Sequence, residues 1–199
     1  MSHEETTESI LELEASNLFD ARAAGLLVVD VQQKLWPQID GRADVLRRVL
    51  QAIDVAGNLE LPILVTEQYS KGLGPTIPEV RAALERWDAY RPVEKQAFSC
   101  LGEPELTPLV EEAGITTLAL AGIESHVCVM QTALDALDSG IDPFYIAEAT
   151  GSRDPRHKIE AIDRVRDAGA IVGSVEMFAF EAMRTAAHPR FREVQKIIV

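Results

Sequence analysis

The feature that most constrains this chain is a repeated alternation. Short, unbroken apolar runs recur along it, each followed by a stretch with helical spacing. Leu26-Leu27-Val28-Val29, Pro62 to Val65, Thr117 to Ala121, Pro143 to Ala147 and Ala170 to Val172 read as strands. Polar residues do not alternate along these runs, and they are partly β-branched. That pattern fits strands buried on both faces of a parallel sheet. Between them, Ala43 to Leu59 repeats apolar residues at Val45, Leu46, Val49, Leu50 and Ile53. Glu103 to Ala113 carries Pro104 just inside its start and Gly114 just past its end, the usual helix punctuation. Ser125 to Leu137, Pro155 to Ala168, Val175 to Ala187 and Pro189 to Lys196 read as further helices. The order predicts the α/β class, with helices on both faces of a mostly parallel sheet. Right-handed crossovers bring the carboxyl ends of such strands to one edge, where open α/β sheets bind their ligands. Asp30, Thr66-Glu67 and Gly122 fall at that edge.

A chain of 199 residues suits one domain, here 21–199, after residues 1–20, which read as a mobile tail or as an arm onto a neighbouring subunit. Its cysteines are Cys100 and Cys128 alone, which points to a reducing, cytoplasmic setting rather than a disulfide framework. The acidic start lacks the features of a signal peptide, and no run approaches the roughly 20 apolar residues of a transmembrane helix. A formal net charge of -13 disfavours nucleic acid, whose binding rests on neutralising phosphates, and disfavours anionic membranes. Neither a Gly-x-Gly-x-x-Gly nor a Gly-Lys-Ser/Thr loop is present, so no nucleotide cofactor is expected. A small-molecule partner is. The stretch Glu67 to Phe98 reads as a long loop after a strand end, placed to wall a pocket.

Cys128 lies in Gly122-Ile123-Glu124-Ser125-His126-Val127-Cys128-Val129, where a strand gives way to a helix. A cysteine in the first helical turn feels the positive end of the dipole, which would lower its pKa. Unpaired backbone N–H groups there suit an oxyanion. The alternative is a buried, inert thiol. Asp30 closes an apolar strand, where poor solvation raises a carboxylate toward a useful base; the alternative is a cap. Lys95 is either a placed charge or a snorkelling surface residue. His126 stands two residues before Cys128 and so on a different helix face, which favours a pocket-rim role over a base. Cys100 reads as structural.

Together these segments resemble the isochorismatase-like cysteine hydrolases. Leu27-Val28-Val29-Asp30-Val31-Gln32 is similar to that family's strand ending in Asp-x-Gln, and Glu94-Lys95 with Phe98-Ser99 is similar to its lysine segment. Gly122 to Val129 with Thr132-Ala133 resembles its cysteine signature, and Thr66 to Gly74 resembles the isochorismatase-domain-containing branch. The resemblance implies a six-stranded, Rossmann-like three-layer sandwich and a homo-oligomer. It also implies a triad of Asp30, Lys95 and Cys128, and a cis peptide between Ile123 and Glu124. The N–H groups of Glu124 and Cys128 would form the oxyanion hole, and Gln32, Leu35, Trp36, Tyr69, Phe98 and His126 would line the substrate site. Nicotinamidases carry an Asp-x-His metal site after the second strand. Here that place reads Thr66-Glu67-Gln68-Tyr69, so no metal is expected. The cysteine implies hydrolysis of an amide, carbamoyl or related bond. The alternatives are vinyl ether hydrolysis with Asp30 as the acid, or a non-catalytic scaffold on the same fold.

Overall fold

A computed structural model of the chain describes residues 18–199. Strand β1 (Ala24–Val29) is buried along its whole length. Helix α1 (Arg42–Asn58), strand β2 (Ile63–Gln68), a single helical turn (Ser70–Leu73), α2 (Pro78–Arg86) and β3 (Val93–Lys95) follow. Then come α3 (Leu106–Glu112), β4 (Thr117–Ile123), and a π-helical turn (Ser125–Val129) that runs into α4 (Met130–Asp138). The chain closes with β5 (Asp142–Gly151), α5 (Pro155–Asp167), β6 (Ile171–Gly173), α6 (Val175–Met183) and α7 (Phe191–Ile198). The strands form one sheet in the order β3-β2-β1-β4-β5-β6, and every neighbouring pair is parallel. The expected Rossmann-like three-layer sandwich is therefore present, with its described sheet parallel throughout.

Successive side chains of a strand point to opposite faces, and the core divides accordingly. Leu26 and Val28 join Ala119, Ala121, Phe144 and Ile146 beneath Val49 and Ile53 of α1 and Phe178 of α6. Leu27 and Val29 join Leu118, Leu120 and Tyr145 against Val110 of α3, Ala133 of α4 and Val165 of α5. Each buried Leu or Val side chain contributes roughly 1.5–3 kcal/mol.

Two expectations change. The stretch Glu67 to Phe98 is not a long loop: it holds the turn after β2, then α2 and β3. Helix α2 was hidden by the Gly- and Pro-rich segment before it, although Pro78 at its start and Val80, Ala83 and Leu84 buried along it are helix signals. Strand β3 is three residues long with an exposed Glu94 at its centre, too short and polar for a pattern to mark. The expected helix over Val175 to Ala187 stops at Met183, because Arg184 turns left-handed with φ 60. The tail falls outside the described residues over 1–17. Phe19 is buried, its ring stacked on Phe178 with centroids 5.4 Å apart and edge-on to Phe144 at 5.2 Å.

The winding of the sheet reverses between β1 and β4, and the crevice at such a switch point is where doubly wound folds bind ligands. Val29 stands in register with Gly122 across that boundary. Gly122 has φ +122, and a Cβ there would lie 2.1 Å from the Val29 carbonyl oxygen. Only glycine fits this approach.

Candidate active site

Three strand ends deliver three side chains to one place. Asp30 follows β1, Lys95 ends β3, and Cys128 sits in the π-helical turn after β4. Asp30 adopts φ 49, a left-handed conformation that aspartate tolerates better than most residues. The residues are 0%, 1% and 8% exposed, respectively. Lys95 Nζ lies 2.8 Å from Asp30 Oδ2. The Cys128 thiol lies close enough to the Asp30 carboxyl for each to shift the other's protonation.

Lys95 Nζ also donates to Gln68 Oε1 at 2.6 Å and to the carbonyls of Ala97 and Phe98 at 3.1 and 3.0 Å. Burial works to lower the lysine's pKa, but the negative charge of Asp30 prevails and holds it above its ordinary value. Burial raises the Asp30 carboxyl above its ordinary value, while Lys95 and Thr66 moderate the rise. Thr66 Oγ1 donates to Asp30 Oδ1 at 2.8 Å.

The expected lowering of the Cys128 pKa is overturned. Burial pushes the thiol up to about 12, and the Asp30 carboxylate adds to the rise. Lys95 opposes it without prevailing. A helix terminus is worth a fraction of a kcal/mol at most ordinary sites, whereas full burial can move a pKa by roughly 3–5 units. Cys128 at rest is a protonated thiol on a carboxylate.

The Ile123–Glu124 peptide is cis. The Glu124 side chain accepts from Arg153 N and Nε at 3.0 and 2.9 Å. His126 is half-buried, with Nδ1 2.9 Å from Ser152 Oγ and its ring 4.7 Å from that of His157. Its hydrogen bond thus goes to Ser152, while the Cys128 thiol faces Asp30. Gln32 is buried, and backbone groups use its amide: Nε2 donates to Gln68 O and Gly74 O at 3.0 and 2.7 Å, and Oε1 accepts from Gln68 N at 2.8 Å. It holds the loop after β2 in place instead of presenting its amide to a ligand. Leu35 and Trp36 are half-buried, and Tyr69 and Phe98 are 50% and 56% exposed.

Sequence reasoning missed Thr66 and Gln68. The apolar run places the strand's end near Thr66-Glu67, but β2 runs on to Gln68. The available signal was the alternation itself, since residues two apart on a strand share a face. It also set Cys100 aside. Cys100 is fully buried, its Sγ 3.6 Å from Thr66 Oγ1, and its N–H donates to Thr132 Oγ1 at 2.9 Å. The Thr132 hydroxyl in turn donates to the Cys128 carbonyl at 2.6 Å, so one side chain ties both cysteine segments together.

A cleft of about 530 Å³ lies elsewhere, toward the start of β2, lined by Leu61, Ile63, Trp87 and Leu109 among others, and it includes no triad residue. Among the described residues, no group of three or more His, Cys, Asp or Glu could hold a metal ion. No described helix is long and apolar enough to cross a membrane.

The model of the isochorismatase domain matches residues 24–177, a span that contains the whole triad. Isochorismatase domain-containing protein 2 from Xenopus laevis is 36% identical over 183 residues, covering 89% of this chain and 84% of that protein. The solved structure of a MAR1 ribonuclease from Caenorhabditis elegans is similar at a TM-score of 0.83 and 32% identity, over 90% of this chain and 91% of that one. The YcaC gene product of Escherichia coli, described as an octameric hydrolase of unknown specificity, is similar at a TM-score of 0.80 and 25% identity, over 91% and 96% of the two chains. With its domain matched and its relatives alike over most of their length, the chain belongs to the isochorismatase domain family.

Proposed function

We propose that this protein is a metal-free cysteine hydrolase that cleaves a small-molecule amide, carbamoyl or related C–N bond through a covalent intermediate on Cys128. The observation that carries this reading is the convergence of Asp30, Lys95 and Cys128 at the carboxyl ends of three strands, with Asp30 2.8 Å from the Lys95 ammonium. A thiol held near 12 is no resting nucleophile, so its proton leaves as the sulfur attacks. Asp30, its carboxyl raised by burial, takes that proton while Sγ bonds to the carbonyl carbon. The oxygen of that carbonyl gains the charge, and the N–H groups of Glu124 and Cys128 receive it. The intermediate collapses, the C–N bond breaks, and the proton on Asp30 passes to the leaving nitrogen. Water then attacks the thioester with Asp30 again as base, which releases the acid and restores the thiol. Lys95 remains charged and keeps Asp30 ionised between steps.

The segment Thr66-Glu67-Gln68-Tyr69 offers no histidine, and the Gln68 amide is committed to Lys95 and Gln96, which supports the metal-free reading. The exposed rings of Tyr69 and Phe98 and the octameric description of the Escherichia coli relative support a homo-oligomer. A ribonuclease activity, named for the Caenorhabditis elegans relative, fits poorly with a net charge of -13. Vinyl ether hydrolysis keeps one specific support, the raised Asp30 carboxyl as an acid.

The test is a panel of amides and carbamoyl compounds screened for ammonia release, followed by Cys128→Ala and Asp30→Asn on any accepted compound. We expect both variants to lose at least about 10³-fold in kcat/KM, and mass spectrometry to find an acyl adduct on Cys128. Full turnover by Cys128→Ala with a dead Asp30→Asn would transfer the reading to the vinyl ether chemistry.

A further inference from the structure

The last three residues of β2 divide their work between two faces. Glu67 points one way, and its Oε1 accepts from Thr76 N and Oγ1, both at 2.8 Å, and from the Tyr90 hydroxyl at 2.9 Å. Thr66 and Gln68 share the other face, and each bonds a different member of the triad. We propose that Thr66 and Gln68 are the positioning residues of this site: Thr66 orients the Asp30 carboxyl, and Gln68 fixes the Lys95 ammonium. The inference rests on the triad reading above and adds what holds the triad in register.

Proton bookkeeping makes each contact directional. The Thr66 hydroxyl has one hydrogen, and it goes to Asp30 Oδ1. Its 3.6 Å contact with Cys100 Sγ is then donated by the thiol. Cys100, Thr66 and Asp30 form a polarised chain, which leaves Asp30 Oδ2 to Lys95. The groups facing the carboxyl are thus Lys95, Thr66 and Cys128, with Cys100 behind the threonine.

Gln68 is fixed just as firmly. Its Nε2 donates to the Gln96 carbonyl at 2.8 Å, so Oε1 must face Lys95. Its backbone N–H and carbonyl are both held by the Gln32 amide. Oxygen acceptors surround Lys95 Nζ on all sides: Asp30, Gln68, Ala97 and Phe98. An ammonium offers three N–H donors to these four acceptors, whereas a neutral amine offers one fewer and turns a lone pair toward oxygens. Gln68 therefore selects the charged lysine as well as its place. Because Gln32 also binds the Gly74 carbonyl, the same clamp ties that setting to the loop after β2.

The experiment uses the full chain labelled with carbon-13 at aspartate carboxyls and nitrogen-15 at lysine Nζ. Nuclear magnetic resonance follows the Asp30 carboxyl and the Lys95 ammonium against pH. Thr66→Val, which keeps shape and removes the donor, should raise the Asp30 midpoint by about one pH unit, and Thr66→Ser should restore it. Gln68→Met, which keeps length and removes the acceptor, should speed proton exchange at the Lys95 ammonium by about tenfold. If Thr66→Val does not fold, Thr66→Ser compared with Thr66→Ala reads the same hydroxyl. Native-like melting with an unchanged Asp30 midpoint and unchanged Lys95 exchange overturns the proposal. Both signals are read at Asp30 and Lys95 themselves, whatever the reactivity of Cys128. Shifted signals beside a Cys128 that iodoacetamide never labels would keep the positioning roles and remove the hydrolase reading. A labelled, Asp30-dependent Cys128 beside unmoved signals would do the reverse.

Discussion

Asp30 is the residue on which the proposed chemistry turns, and it is a carboxylate with no exposed surface. Such a charge persists only when paired, and Lys95 is the pair. Removing one partner of a buried ion pair strands the other, at about 3–5 kcal/mol. We expect Lys95→Met to lose stability in that range, read as a fall in the urea midpoint. The pH dependence has a definite sign. Lys95 is held above its ordinary 10.5, so its contribution is complete below that value and is lost as pH rises through the native one. The alkaline limb of the wild-type urea midpoint should therefore disappear in Lys95→Met. His126 behaves oppositely. Burial lowers its pKa below the ordinary 6.5, and the cationic surroundings of His157 and Arg153 add to this against Glu124. Its contribution is present above 6.5 and lost as pH falls through the lowered native value, so His126→Gln should flatten the pH dependence of the urea midpoint below pH 6.5. At this scale the sequence named Asp30, Lys95 and Cys128 as candidates. It misjudged the direction of the Cys128 pKa because it counted the helix terminus and could not see how completely the thiol is buried.

At the scale of elements, the site depends on how closely β1 and β4 approach. The backbone of Gly122 passes so near Val29 that any side chain must collide with main-chain atoms, which cannot yield as a flexible side chain would. We expect Gly122→Ala to cost about 3 kcal/mol or more, measured by urea unfolding, and to separate Asp30 from Cys128. Thr132 makes the second link between elements, since its hydroxyl joins the segment of Cys100 to that of Cys128. Strand periodicity exposed the long, doubly buried strands directly. It failed at β3, whose placement comes from pairing with Thr66–Gln68 of β2 and not from its own three residues. It failed differently at α2, where a correct helix signal was overruled by the loop-like residues preceding it.

For the whole molecule, the open question of assembly has a physical handle. Tyr69, Phe98, Met177 and Phe180 are exposed apolar side chains, the kind of surface a subunit interface covers where such residues are contiguous. We expect sedimentation velocity to give a mass well above the 21.8 kDa of one chain, and a charge at Phe98, as in Phe98→Glu, to shift the mass downward. A monomer at micromolar concentration would remove the homo-oligomer from the proposed function.

What the sequence determined by itself was whatever repeats along the chain or rests on local chemistry. Apolar runs separated by helical spacing specify strands, crossovers and the shared carboxyl edge, because a strand buried on two faces must be apolar on both. What only the tertiary structure decided was everything set by encounter between distant segments. Residues 30, 66 and 68, 95 and 100, and 128 come from four separate stretches of chain, and the protonation states of Asp30, Lys95 and the cysteines follow from desolvation and from one another's charges. Those fields exist only once the strands have brought the groups together, so no local pattern could have revealed a protonated Cys128, a Gln32 turned inward as a clamp, or the support given by Thr66 and Gln68.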